Sequence, residues 1–406
     1  MSTTLRRTIQ ELTPAILGTL QGVFWQNIYA TKAIEQTLKL HPDWEEHTRA
    51  IFSETIYDLI RWWRPLWYII NKEPSTNQED LEKLLTIYLF TKKGDLSALQ
   101  NKKGFDPSQF FQRIHTTKHS RALRESIPDW LDAQGEKELG IRWEPVLAAL
   151  NTTPDLIIRV NSLKTTPKEL IVILHKEGII AEPVEGNPEA LLIKEKINVF
   201  RLPSFHAGLY EVQDAASQMA SQILDPHPGM RIIDACAGEG SKTLHLAALL
   251  KNKGKIIAMD TQEWRLKQLR KRAAKAGTDT IETRLITSTK VYKRIQGTAD
   301  RLLLDVPCSG LGTLRRNPDI RWKVTAEDLE RLKHLQQDLL EKYCKSLKPQ
   351  GTMVYSVCSI LPSEGEEQIK RFLTHHADYQ LLDEKRYWPD TDRTDGFYIA
   401  LLQRTT

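Results

Sequence analysis

Apolar positions recur at three- and four-residue spacings through the first part of the chain. Residues 13–40 (TPAILGTLQGVFWQNIYATKAIEQTLKL) and 48–72 (TRAIFSETIYDLIRWWRPLWYIINK) both carry this spacing, which predicts amphipathic helices. Pro42, Pro65 and Pro74 punctuate them, and strand signals are few. Trp25, Trp44, Trp62, Trp63 and Trp67 fall in these helices and are read as core. A helical domain is therefore expected over residues 1–125.

The pattern changes after "SIPDW" at 126–130. Residues 155–179 (DLIIRVNSLKTTPKELIVILHKEGI) read as a strand, a turn and a helix opened by Thr-Pro, and "EALLIKEKINVF" adds strand signals. A linker helix and a small α+β module are expected over 126–215. From 216 to 406 apolar strands and amphipathic helices alternate. The strands are RIIDACAG, KIIAMD, ETRLIT, DRLLLDV, GTMVYSVC and GFYIALLQR. That alternation predicts an α/β fold with a mainly parallel sheet covered by helices on both faces, whose ligands sit at the C-terminal strand ends.

Composition narrows the class only modestly. The 406 residues carry a net charge of +5, a mild basic excess compatible with a polyanionic partner. No run reaches the roughly 18 to 20 apolar residues of a membrane span, and the N-terminus has no secretory pattern. A cytoplasmic protein without membrane association is expected. The run "RIHTTKHSRALR" at 113–124 has two readings, a solvated face or a basic hinge suited to RNA phosphates.

Candidate chemistry begins with "DACAGEGSKT" at 234–243, a Gly-rich turn between a strand and a helix. Gly238 and Gly240 allow a tight turn and close approach of a ligand. Lys242-Thr243 resembles a P-loop ending, but the full P-loop spacing is missing. Asp260 ends the next strand, twenty residues after Gly240, where a carboxylate can accept from a ribose diol. NAD and S-adenosylmethionine both fit that pattern.

The cysteines decide between them. The chain has four, Cys236, Cys308, Cys344 and Cys358, with neither C-x-x-C pairs nor zinc spacing, so no metal is expected. Cys344 sits in a helical pattern and is read as core. Cys308, in "LLLDVPCSGLGT", and Cys358, in "YSVCSILPSEGEEQ", both follow strand ends. Cytosine C5 is a poor nucleophile until a thiolate adds at C6. The C5 proton must later be removed, and a donor is needed toward N3. Two thiols ending separate strands, with Asp305 on the Cys308 turn that Pro307 stiffens, suit that reaction; hydride transfer needs no such pair.

At these residues the chain resembles the bacterial ribosomal RNA cytosine-5 methyltransferases, the Sun/Fmu-like branch of the Nol/Nop/Sun family. The likeness covers most of the chain from about 126 onward. It rests on "RVN" (159–161), "VQDAAS" (212–217), "DVPCSGLGTLRRNPDIRW" (305–322) and "YSVCSILPSEGEEQ" (355–368). The resemblance implies a Rossmann-like class I methyltransferase domain over 216–406, preceded by the small module and a NusB-like RNA-binding helical domain. It implies S-adenosylmethionine as cofactor and RNA, ribosomal RNA foremost, as partner; a monomer is expected. It makes Cys358 the nucleophile, Cys308 the residue assisting release, and Asp305 a catalytic and cofactor-site residue. Cys236, Ala237, Gly238, Glu239, Gly240, Ser241, Lys242 and Asp260 match cofactor positions.

There are departures. The family reads C-A-A-P-G-G-K-T where this chain has Glu239 and Ser241, and its third-strand acid is replaced by Thr287 or Ser288, which can still hydrogen-bond. Arg159, Asn161, Arg315 and Arg316 are expected to contact RNA, whereas the basic helix 265–275 is read as a solvated face. Two alternatives stay open: the same chemistry on transfer RNA, or a non-catalytic RNA-binding or ribosome-assembly protein on this scaffold.

Overall fold

The computed structural model describes residues 3–93, 106–195, 197–288 and 290–406. The chain divides into two compact units. One comprises residues 1–152 with 314–326, the other 153–313 with 327–406.

The first unit is helical, as the apolar spacing predicts. Helices α1 (Thr3–Phe24), α2 (Ala30–Leu40), α3 (Glu46–Arg61), α4 (Trp63–Ile70), α5 (Gln78–Lys93) and α6 (Pro107–His119) are followed by α7 (Asp129–Leu139) and α8 (Trp143–Leu150). Ile16, Leu20, Phe52, Ile56, Leu59, Trp63, Leu66, Trp67 and Leu84 form its core. Trp44 and Trp62 pack partly buried against it, while Trp25 stays 38% exposed.

Residues 126–152 lie in the helical unit, where α7 and α8 bury Leu131, Trp143, Val146 and Leu147. So does 314–326, the continuation of the Cys308 motif. Its Asp319 accepts from the Ala30 N–H at 2.9 Å, and the buried Arg321 donates to the carbonyls of Glu125 and Ser126 and to Asn151. The Trp322 indole donates to the Ile60 carbonyl at 2.9 Å. Buried polar groups need such partners, and here they tie the segment down. The basic run is likewise engaged. Arg113 donates to the Tyr68 carbonyl, Arg121 pairs with Asp132 at 2.6 Å, and Arg124 with Glu144 at 2.5 Å.

The second unit carries two sheets. Strands β1 (Leu156–Val160), β2 (Ala181–Val184), β3 (Asn187–Ile193) and β4 (Tyr210–Val212) form an antiparallel sheet in the order β2-β3-β1-β4. Helix α9 (Pro167–Lys176) covers it, started by a capping box between Thr166 and Glu169. Helix α10 (Ala215–Ile223) follows, capped by Asp214 of the VQDAAS motif through the Ala216 N–H at 3.0 Å.

The larger sheet has strands β5 (Arg231–Asp234), β6 (Lys255–Asp260), β7 (Ile281–Leu285), β8 (Ala299–Asp305), β9 (Leu347–Val357), β10 (Tyr379–Tyr387) and β11 (Phe397–Arg404), ordered β10-β11-β9-β8-β5-β6-β7. The pairs among β5 to β9 are parallel; β11 and β10 add antiparallel strands at one edge. Helices α10 and α11 (Ser241–Leu249) bury Ala216, Ala220, Leu246 and Ala247 against one face. Helix α12 (Glu263–Ala276) extends that layer through Leu266 and Leu269. Helices α13 (Ala326–Tyr343) and α14 (Glu366–His375) bury Leu340, Tyr343, Ile369 and Phe372 against the other. The strand order reverses between β5 and β8, so the crevice beyond their C-terminal ends is where a ligand is expected. Among the described residues no helix is long and apolar enough to cross a membrane.

Candidate active site

Four strand ends converge there. The first is the loop after β5. Gly238 and Gly240 take left-handed φ values of 54° and 90°, which glycine adopts without a Cβ penalty. A Cβ on Gly240 would lie 2.5 Å from Leu269 Cγ of α12, so the loop seats directly on that helix. A Cβ on Gly238 would meet nothing within 4 Å, leaving open space beside its backbone. Asp260 closes the second side. It is 6% exposed, and its two carboxylate oxygens accept from the backbone N–H of Gly238 at 3.0 Å and of Gln262 at 2.8 Å. An open glycine cradle beside a strand-end carboxylate fits an adenosine cofactor.

Beneath the loop, the Thr243 hydroxyl donates to Asp234 at 2.6 Å, and burial pushes the Asp234 carboxyl up to about 7. Burial also pushes the Cys236 thiol well up, so it stays a neutral wall residue rather than a nucleophile. Lys242 reaches from α11 to Asp305 at 2.6 Å, and the Ser356 hydroxyl donates to the other Asp305 oxygen at 2.8 Å. Asp305 is thus held between the cofactor-loop helix and β9.

The third and fourth strand ends bring the two sulfurs together. Cys308 Sγ and Cys358 Sγ stand 3.2 Å apart, from the turns after the neighbouring strands β8 and β9. The hydrogen bond to Cys358 is the largest cause raising the Cys308 thiol far above its ordinary range, followed by burial and by the charge of Cys358. Either sulfur can donate in the hydrogen bond between them.

One carboxylate braces both turns. Glu364, fully buried, accepts from the Ser309 N–H at 2.8 Å, the Ser309 hydroxyl, the Ser359 hydroxyl at 2.6 Å and the Gln336 amide at 3.0 Å. Ser309 and Ser359 directly follow the two cysteines. Gly312 and Gly396 close the arrangement: the Gly312 N–H donates to the Cys358 carbonyl at 3.0 Å, and a Cβ on Gly312 would sit 1.9 Å from the Gly396 carbonyl oxygen.

Other expected site residues lie elsewhere. Arg159 and Asn161 are buried and engaged with protein groups. Arg159 donates to Gln213 and, at 2.8 Å, to the Ser241 carbonyl; Asn161 donates to the carbonyls of Gly208 and Ala276. Both polar ends are met by groups within the protein. Arg315 is buried in the helical unit, its carbonyl accepting from Arg61 at 2.8 Å, and Arg316 there is half-buried. Thr287 and Ser288 are exposed. Thr287 lines a separate cavity of about 580 Å³ with Arg231, Glu282, Arg284 and Arg294, to which the glycine loop contributes nothing.

Three residues of the site carry no signal in the sequence alone: Glu364, Arg272 and Glu211. Glu364 stands five residues after Ser359 in YSVCSILPSEGEEQ, but no periodicity marks it. Arg272 lies on a helix whose run of basic residues reads as a solvated face.

A mainly parallel sheet with a glycine turn at its switch point, a strand-end acid and a paired-thiol turn defines a Rossmann-like class I methyltransferase. Residues 221–403 match the family described as 16S rRNA methyltransferase RsmB/F, and residues 127–200 match the ferredoxin-like domain of RsmF/B-like methyltransferases. A Synechocystis sp. protein named probable ribosomal RNA small subunit methyltransferase B is 32% identical over 95% of this chain and 97% of its own. Ribosomal RNA small subunit methyltransferase B of Photorhabdus laumondii is 34% identical over 68% of this chain and 66% of its own. The crystal structure of PH0851 superposes with a TM-score of 0.78 at 25% identity, covering 96% of this chain and 98% of that one. A methyltransferase homologue from Pyrococcus horikoshii gives 0.63 at 29% identity, covering 70% of this chain and 97% of that one. The chain belongs to the RsmB/F methyltransferase family.

Proposed function

We propose that this protein transfers a methyl group from S-adenosylmethionine to C5 of a cytosine in 16S ribosomal RNA, through a covalent bond between Cys358 and C6. The observation that carries the reading is the pair of sulfurs 3.2 Å apart at two adjacent strand ends, beside Asp305. The relatives' names support ribosomal RNA of the small subunit as substrate.

The loop Cys236–Lys242 and Asp260 would hold the cofactor, which supplies an electrophilic methyl on a sulfonium. This chain's residues perform the rest. The Cys358 thiolate adds to C6, and the ring electrons shift toward C5 and the N3 edge. A donor toward N3 is needed as that charge builds, and the Asp305 carboxyl, positioned by Lys242 and Ser356, would take that role in its protonated form. C5 then takes the methyl. Cys308, as thiolate after passing its own proton to solvent, takes the C5 proton, the C6–S bond breaks, and Cys358 leaves as thiolate.

The test incubates purified protein with methyl-labelled S-adenosylmethionine and unmodified 16S ribosomal RNA or transfer RNA, followed by bisulfite sequencing. Label at one cytosine C5 of 16S ribosomal RNA is expected. Label in transfer RNA alone overturns the substrate, and label in neither overturns catalysis.

A further inference from the structure

The RVN and VQDAAS motifs find no use in the chemistry above, yet Arg159, Asn161 and Gln213 among their polar side chains engage the loop after β5 or the groups that hold it. Arg159 of RVN, on β1, donates to the carbonyl of Ser241, the first residue of α11, at 2.8 Å. Gln213 of VQDAAS holds the same guanidinium. Glu211, next to that motif on β4, accepts from Arg272 at 2.9 Å, and Arg272 donates its other nitrogen to the Glu239 carbonyl at 2.9 Å. Two arginines thus grip two carbonyls of one seven-residue loop, Cys236–Lys242, from its outer side.

The helix carrying Arg272 is itself fixed by the small sheet's unit. Asn161 donates to the carbonyl of Ala276 at 2.9 Å, and Lys164 to that of Lys275 at 2.7 Å. These are carbonyls of the last turn of α12, which lack partners within the helix. A Cβ on Gly208 would sit 2.3 Å from the Lys275 carbonyl oxygen, so the turn before β4 approaches the helix end as closely as backbone permits. With its C-terminus so held, α12 presents Leu269 under Gly240 and Arg272 at Glu239.

We propose that the small sheet's signature motifs act on the cofactor rather than on RNA, with Arg159 and Arg272 as positioning residues that set the shape of the Cys236–Lys242 loop for S-adenosylmethionine. Glu239 and Ser241 are also two of the three positions where this loop departs from the family's C-A-A-P-G-G-K-T, Gly238 in place of Ala being the third. Holding their carbonyls from outside fixes a backbone course that the sequence there does not enforce. The inference rests on the proposed reading of this loop as the cofactor site.

The test uses the full chain and S-adenosylhomocysteine as calorimetric probe, with binding to a 16S ribosomal RNA fragment measured across a salt series. Arg272 is a quarter exposed in its side chain, so Arg272→Met keeps the packing stem and removes the donors. It is expected to weaken S-adenosylhomocysteine binding about tenfold, the equivalent of one lost hydrogen bond, while RNA affinity and its salt slope stay at wild-type values. Arg272→Lys retains one donor and is expected to restore part of the loss, and Glu211→Gln to reproduce a smaller one. Unchanged probe affinity in Arg272→Met overturns the inference. So does a reduced RNA salt slope with intact probe binding, which would make Arg272 a phosphate contact. Wild-type protein that binds no S-adenosylhomocysteine overturns the cofactor reading itself, and this inference with it.

Discussion

Replacing Glu364 removes the one acceptor shared by the two cysteine turns. Its carboxylate receives hydrogen bonds from the Ser309 N–H, the Ser309 and Ser359 hydroxyls and the Gln336 amide, all buried. A hydrogen bond to a charged group is worth about 1.5–3 kcal/mol, but donors left behind in a shared site relax together, so the terms do not add. Breaking a buried charged network by removing one partner costs about 3–5 kcal/mol, and that range is expected for Glu364→Ala. Glu364→Gln should cost less, about 1–2 kcal/mol. Its oxygen can still accept from the Ser309 N–H, and both serine hydroxyls can rotate to accept from its amide.

Stability alone would not distinguish a brace from ordinary core, so the assay has a second part. In the Cys308→Ala background, the RNA adduct should form more slowly in Glu364→Gln than in Glu364, with S-adenosylhomocysteine affinity unchanged. The Glu364 charge also contributes to raising the Cys308 thiol. In a Cys358→Ala background, Glu364→Gln should therefore shift the pH profile of Cys308 alkylation downward. An unchanged urea midpoint together with an unchanged adduct rate and alkylation profile would refute the brace.

The other predictions follow from the same geometry. Cys308→Ala should accumulate a protein–RNA band on a denaturing gel that requires S-adenosylmethionine and vanishes in Cys308→Ala/Cys358→Ala; a band from Cys358→Ala alone would reverse the two roles. Asp260→Ala loses the acceptor for the Gly238 N–H as well as any ribose contact, so calorimetry should show S-adenosylhomocysteine binding weakened about 10- to 100-fold with RNA binding intact. His245 is fully buried. Its Nε2 donates to Glu189 at 2.6 Å and its Nδ1 has no partner, the arrangement of a neutral ring, and burial beside Arg159 lowers it to about 4. The folded value lies below the unfolded value of about 6.5, so the stability is full above that pH and is lost as pH falls from 6.5 toward 4. The loss should approach about 3 kcal/mol. Urea midpoints at pH 7.5 and 5 should therefore diverge less in His245→Gln than in the natural protein, and equal divergence would count against a neutral His245.

What the sequence displayed depended on burial. The central strands β5, β6, β8 and β9 are apolar because both faces are covered, and they stand out as short runs ending in Asp234, Asp260, Asp305 and Val357. The glycine turn and the two thiols were legible for the same reason, since unusual residues at the ends of such runs are conspicuous. Strand β10 was not legible. It lies at the sheet edge, pairs only with β11, and most of its residues are exposed, so "YQLLDEKRY" carries no alternation. Strand β4 is three residues long, too short for any period. Buried arginines mislead in the opposite direction. Arg159 and Arg321 look like phosphate contacts by residue type, and only the structure reveals that backbone carbonyls and polar side chains receive them.

The sulfur pair also contains an order of events for the proposed reaction. A base that removes the C5 proton has to be a thiolate at that moment, whereas a thiolate at Cys308 any earlier would stand 3.2 Å from the nucleophile and repel it. The hydrogen bond to Cys358 is the largest cause raising Cys308, with burial next and the Cys358 charge after it. A sulfur bonded to C6 carries no charge and is a weak acceptor, so in the proposed reaction the first and third of these causes lapse while burial and Glu364 persist. Cys308 would then release its proton to solvent more readily than before, and the covalent step would ease formation of the base that the last step needs.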